Sequence, residues 1–227
     1  EAEVRALVDR GPFLGPEALE AKLVDALAYR DEVHAKLVAK AGAGAKVFGL
    51  QAYLKKEGVP SEGLSLLPHP QRVEALMRGE AEALSAYVTD EPYWLDRARF
   101  PYQLHSPRAA GLDFYGDNLF TSEEELRRHR KRAEAFLAAS LKGWAYALEH
   151  PEETADRIRS RYAPGLPREY LLFQARRMHE LIRPDLIELG YMSQGRWEHI
   201  ARTFQEQGML PWDFSLEGFL HRPRGPL

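Results

Sequence analysis

The chain has 227 residues, 44% of them hydrophobic and 29% charged, with a formal net charge of −3. That balance belongs to a soluble globular protein able to bury a core, and it offers no electrostatic case for binding nucleic acid. There is no cysteine, which excludes disulfides, thiolate metal sites and cysteine nucleophiles, and no apolar run of about 18 residues that would span a membrane. The opening EAEVRALVDRG lacks the pattern of a signal peptide, so an exported protein would need a leader outside these residues.

Residues 1–48 begin with a Gly/Pro-rich turn. Pro16 then stands at a helix start with Glu17 and Glu20 in the first turn, where the helix dipole favours acids. Leu19, Leu23 and Leu27 mark one apolar face, and Gly42 and Gly44 end that helix. The Gly-Ala-Gly there lacks the lysine and hydroxyl of a phosphate loop. Lys46–Phe48 reads as a short strand, Leu50–Glu57 as a helix closed by Gly58, and Leu64–Leu67 as a strand. Gln71–Arg78 reads as a helix closed by Gly79, and Ala83–Val88 as a strand. Alternating helices and strands predict an α/β lobe with a mainly parallel sheet, whose ligands bind beyond the carboxyl ends of the strands. Tyr87, Thr89, Asp90 and Glu91 fall at such an end.

The stretch from Ala86 to Phe120 organises the chain. It is rich in Tyr, Phe, Trp, Asp and Glu, is broken by Pro92, Pro101, Pro107, Gly111 and Gly116, and carries no sustained helical period. It reads as short strands and loops lining a site, since long irregular segments in folded domains are usually functional or disordered and this one is too aromatic for disorder. A capping box follows, from Thr121 to Glu124 or from Ser122 to Glu125, opening a helix to about Glu149. Its buried face is expected to hold Leu126, Ala133, Phe136, Leu137, Leu141, Trp144, Ala145 and Leu148. The charges around Arg127, Arg128, Arg130 and Arg132 read as a solvated face. Helices are also expected from Pro151, over Arg168–Ile182 with Leu171, Leu172, Ala175, Met178 and Leu181 inward, and over Gly195–Gly208. Residues 185–192 read as a short strand or turn. Trp144 and Trp197 read as packing residues.

Acids beside aromatics suit a cationic or amine-bearing aromatic ligand: a flat ring stacks on Tyr or Trp, and a carboxylate accepts from the amine. The candidate contacts are Tyr87, Thr89, Asp90, Glu91, Asp113, Tyr115 and Asp117. The competing reading makes the tyrosines core or hinge residues and the acids turn caps, with Asp117 before Asn118 in an Asx-type turn. Asp90 and Glu91 are adjacent, and no spacing makes them a catalytic pair. The eight histidines show no metal-ligand spacing, though His69 and His105 fall at candidate strand ends.

Four segments, AYVTDEPYWL, SPRAAGLDFYGDNLFTSEEEL, ASLKGWAYALEHPEE and LIELGYMSQGRWEHIARTFQEQGML, together resemble one family over roughly residues 46–221. It is that of thiamine-pyrimidine synthase and the thiamine-precursor-binding proteins of ABC transporters, and the versions most alike are extracytoplasmic sensor domains of kinases and diguanylate cyclases. The resemblance implies an α/β fold of the periplasmic-binding-protein type II kind, with two lobes, mainly parallel sheets and flanking helices. It implies a periplasmic or extracytoplasmic location. It also implies non-catalytic binding of a small organic ligand, such as a pyrimidine or thiamine-precursor-like amine, between the lobes, with no cofactor. The partner would be an ABC permease or a downstream kinase or cyclase. No βαβ segment is recognisable in residues 1–45, so the first lobe is expected to be truncated or remodelled. The expected layout is one substrate-binding domain: 1–85 the first-lobe remnant and the start of the second lobe, 86–190 the second lobe with crossover segments, and 191–227 a C-terminal helix and tail returning to the first lobe. The synthase branch uses a cysteine-rich iron motif, which a chain without cysteine cannot supply. A pyrimidine-metabolising enzyme and a ligand-free structural module are the alternatives.

Overall fold

The computed structural model describes residues 53–60, 65 and 73–220. The helix expected from Pro16 and the strand at 46–48 lie outside the described residues, as do His69 and all of the 64–67 strand but Ser65. The chain divides into two compact units, Glu1–Val47 with Thr121–Ala139, and Phe48–Phe120 with Ser140–Leu227.

About half of the described residues are helical, and none of them lies in a strand. After a helical turn at residues 53–56, seven helices follow: α1 Glu74–Met77, α2 Glu91–Arg97, α3 Glu123–Arg128, α4 Arg130–Glu149, α5 Pro151–Arg161, α6 Arg168–Ile182 and α7 Gln194–Glu206. This overturns the expected α/β fold with mainly parallel sheets. A strand exists only through a partner that takes its backbone hydrogen bonds, and at Ala83–Val88 the backbone bonds locally instead. The Tyr87 amide donates to the Glu91 carboxylate at 2.7 Å, and the Asp90 amide donates to the Tyr87 carbonyl at 2.9 Å, which folds the segment into a turn. Residues 185–192 likewise form turns, with the amides of Leu186 and Ile187 donating to the Arg183 carbonyl.

The central stretch is not wholly irregular either. α2 occupies Glu91–Arg97, with Pro92 in its first turn, Glu91 at its positive end and Arg97 at its negative end. Proline at the start of a helix lacks only an amide that would be unpaired anyway. Pro92 and Leu95 are buried, and these two contacts anchor the helix.

In the first unit, the Ser122 hydroxyl accepts from the Glu125 amide at 3.1 Å, so of the two possible capping pairs Ser122–Glu125 is the one formed. The single long helix expected here is two, parted at His129, whose φ of −136° and ψ of 37° leave the helical region. A two-pronged Arg132–Glu125 contact, 2.7 Å on each side, spans the break.

In the second unit, α5 and α6 pack as a hairpin. Ala155, Tyr170 and Leu171 are its buried centre, with Tyr93, Trp94, Ile158, Leu166 and Leu172 packed around them. Arg168 clips the two helices together through Asp156 at 2.7 Å and Glu152 at 3.4 Å. Burying a Leu-sized side chain here stabilises the fold by about 1.5–3 kcal/mol. Three residues expected to be inward are not: Leu181, near the end of α6, is 54% exposed, and Phe136 and Trp144 on α4 are each 46% exposed. Between α6 and α7, Gly190 holds φ +83°, and a Cβ there would meet the Leu141 side chain at 2.7 Å, so the turn requires glycine on both counts.

Candidate functional site

The residues singled out from the sequence gather in two clusters of the second unit. The first is built on Asp90, which precedes α2. Its Oδ1 accepts from the Tyr170 hydroxyl at 2.7 Å and from Trp94 Nε1 at 3.2 Å. The Tyr170 hydroxyl in turn accepts from Gln174 Nε2 at 3.0 Å. Tyr170 is only 7% exposed and is ringed by Tyr93 at 5.2 Å and Trp94 at 5.1 Å between centroids, with Phe173 beyond Tyr93 at 5.6 Å. Burial pushes the Tyr170 phenol well above its usual range, and the hydrogen bond to Asp90 pushes it in the same direction. Tyr87 and Glu91 adjoin this cluster through the amide-to-carboxylate bond already described, and Thr89 sits half-buried in the turn between them. Tyr87 itself is 47% exposed.

The second cluster is built on Asp113. Arg108 reaches one carboxylate oxygen at 3.0 Å and Arg196, in the first turn of α7, reaches the other at 2.9 Å. The Arg196 guanidinium also lies 4.7 Å from the centre of the Tyr115 ring, and Trp197 packs against Tyr115 at 5.3 Å. The Tyr115 hydroxyl accepts from the Ser193 amide at 2.6 Å, while the Ser193 hydroxyl caps α7 by accepting from the Arg196 amide. Asp117 is exposed, and beside it Asn118 turns back to the Gly116 carbonyl at 2.9 Å.

Behind the second cluster lies a groove of about 580 Å³ between one face of α7 and residues 214–220. Trp197 is shared: it backs Tyr115, lines the groove, and meets Phe219 edge-on at 4.8 Å. Glu198, Arg202 and Gln205 continue the α7 wall, and Phe214 and Glu217 stand opposite. The far wall is held by Gln205, whose Nε2 donates to the Pro211 carbonyl at 3.0 Å and the Trp212 carbonyl at 3.2 Å. The volume falls within the roughly 300–1,000 Å³ range of small-molecule sites. Among the described residues, no group of three His, Asp or Glu side chains is arranged to hold a metal ion, and no helix is long and apolar enough to cross a membrane. His105 is exposed.

Tyr170, Ser193, Arg196 and the groove side of Trp197 were not legible in the sequence. Tyr170 meets Asp90 across 80 positions and Tyr115 meets Ser193 across 78, and no local pattern announces such pairs.

A family profile described as NMT1/THI5 like matches residues 31–154, more than half of the chain. The chain belongs to this family, the one the sequence motifs resemble, whose members are mainly substrate-binding and which also includes a pyrimidine synthase. The matched region contains Asp90, Asp113 and Tyr115 but ends before Tyr170, Arg196 and the groove. No curated protein and no solved structure matches the chain.

Proposed function

We propose that this chain binds a small organic ligand without chemistry, in the groove between α7 and residues 214–220. The observation that carries the reading is Trp197, an aromatic surface in a cavity of ligand size with Glu198 and Glu217 on its two walls. An amine-bearing ring of the pyrimidine or thiamine-precursor kind stacks on the indole while its nitrogen donates to a carboxylate. Tyr115 serves from behind, fixing Trp197 and the start of α7. Family membership supports the substrate-binding role. In an extracytoplasmic setting the liganded form would be handed to an ABC permease or, in a sensor, to a kinase or cyclase.

One observation favours a second placement, on the face formed by Tyr87, Thr89, Asp90 and Glu91. The Tyr87 side chain is half exposed, and its backbone amide donates to the Glu91 carboxylate beside it. A thermal-shift screen of pyrimidines, thiamine precursors and small amines tests both, because a ligand at a hundred times its Kd stabilises by about 2.7 kcal/mol. Hits lost in Trp197→Ala and kept in Tyr87→Ala support the groove, and the reverse pattern moves the site to the Tyr87 face. No hit across the library counts against ligand binding and favours a structural module. Conversion of a hit during incubation, followed by NMR, would make the protein an enzyme of the pyrimidine-metabolising kind.

A further inference from the structure

The groove brings charges of both signs, on Glu198, Arg202 and Glu217, to one cavity. Glu198 and Arg202 stand four residues apart on α7 with the acid first, the order that best supports an ion pair on a helix. Glu123–Arg127 and Glu124–Arg128 share that order and close at 3.2 Å, whereas Glu153, four residues before Arg157, accepts from the Tyr146 hydroxyl at 2.7 Å. Glu198 likewise turns away from Arg202 and accepts from Gln194 Nε2 at 3.0 Å. Among the described residues, neither Arg202, Glu198 nor Glu217 has an ion-pair partner, and all three line the same cavity. Separated charges of both signs beside an aromatic wall are complementary to a molecule that carries both signs itself.

We infer that the groove's ligand is a zwitterion with an apolar body: an ammonium between Glu198 and Glu217, an anionic group on Arg202, and the body over Trp197 and Phe214. This rests on the groove being the binding site and adds the anionic end that an amine alone would lack. A guanidinium reads a carboxylate through two parallel N–H donors, so Arg202 sets the selectivity for that end.

The test compares three probes that differ only in charge, namely phenylalanine, 2-phenylethylamine and 3-phenylpropionate, titrated calorimetrically into the full chain. Phenylalanine is expected to bind about tenfold or more tightly than either singly charged probe. Arg202→Gln is expected to bring phenylalanine down to the level of 2-phenylethylamine, and the Glu198→Gln, Glu217→Gln double variant to bring it down to that of 3-phenylpropionate. All three side chains are on exposed residues, so these variants fold. If 2-phenylethylamine binds the parent as well as phenylalanine does, or Arg202→Gln leaves phenylalanine binding unchanged, the zwitterion is wrong while the groove stands. If none of the probes binds and the wider screen is also silent, the groove falls with it.

Discussion

Asp90 and Glu198 are both acids beside a tryptophan, and they have opposite fates. Asp90 Oδ1 is committed to two donors, one of them on a residue that is almost wholly buried. Glu198 keeps an oxygen to spare at the edge of an open cavity, with an unpaired Arg202 one helical turn away. The same residue types therefore build a structural junction in one region and a receptive surface in the other. What separates them is whether the fold has already supplied the hydrogen-bond partners, which composition does not reveal.

Breaking the closed region should cost stability first. Leu171→Ala opens a cavity at the centre of the α5–α6 hairpin and is expected to lose about 2–5 kcal/mol in urea unfolding. Asp90→Ala leaves the Tyr170 hydroxyl without its carboxylate and the Trp94 indole without an acceptor, for an expected loss of about 1–3 kcal/mol. A mere ligand contact would show no such loss. Tyr170→Phe keeps the packing and removes two hydrogen bonds, the one donated to Asp90 and the one accepted from Gln174, for an expected loss of about 1–2 kcal/mol.

The same variant sharpens the comparison through pH. The Tyr170 phenol is held above its unfolded value, so the folded protein keeps a proton that the unfolded chain releases at high pH. Its contribution is complete below about pH 10 and declines above it, by up to about 1.4 kcal/mol per pH unit. Urea melts between pH 9 and 11 should show a steeper decline for the parent than for Tyr170→Phe, and equal slopes would remove the phenol from the account. At the acid end, Arg168 holds the Asp156 carboxyl below its usual range through their hydrogen bond. That contribution is present above the ordinary carboxylate range and is lost as pH falls through the depressed value. Arg168→Met should flatten this acid limb only slightly, because the pair is exposed. Arg202→Gln, in the open region, is expected to move stability by less than about 0.5 kcal/mol.

Much of this helical scaffold was legible. α6 runs over the residues its pattern marks, Arg168–Ile182, and Gly58 and Gly79 each take the positive φ expected of a helix-closing glycine. Ser122 caps α3 as one of its two possible boxes proposed. The sheet was the principal misreading: short apolar runs such as Ala83–Val88 look alike whether or not a partner strand exists, and here Glu91 supplies the acceptor that a neighbouring strand would have offered. α2 does not stand out in the sequence because seven residues carry too little period against the prolines around them, although Pro92 is itself a helix-start signal. As for the site, the sequence pointed to acids beside aromatics; Tyr115 packs on Trp197, which lines the groove, while Asp113 holds Arg196, which does not. That groove needs α7 and residues 214–220 together, a pairing that only the folded chain brings about.

The four tryptophans make the decisive measurement direct, since each indole N–H gives its own NMR signal. With a hit from the screen added stepwise, the Trp197 indole signal is expected to shift with ligand while that of Trp94, bonded to Asp90, stays where it is. A Trp94 signal that moves while Trp197 does not would contradict the account and put the ligand on the Tyr87 face.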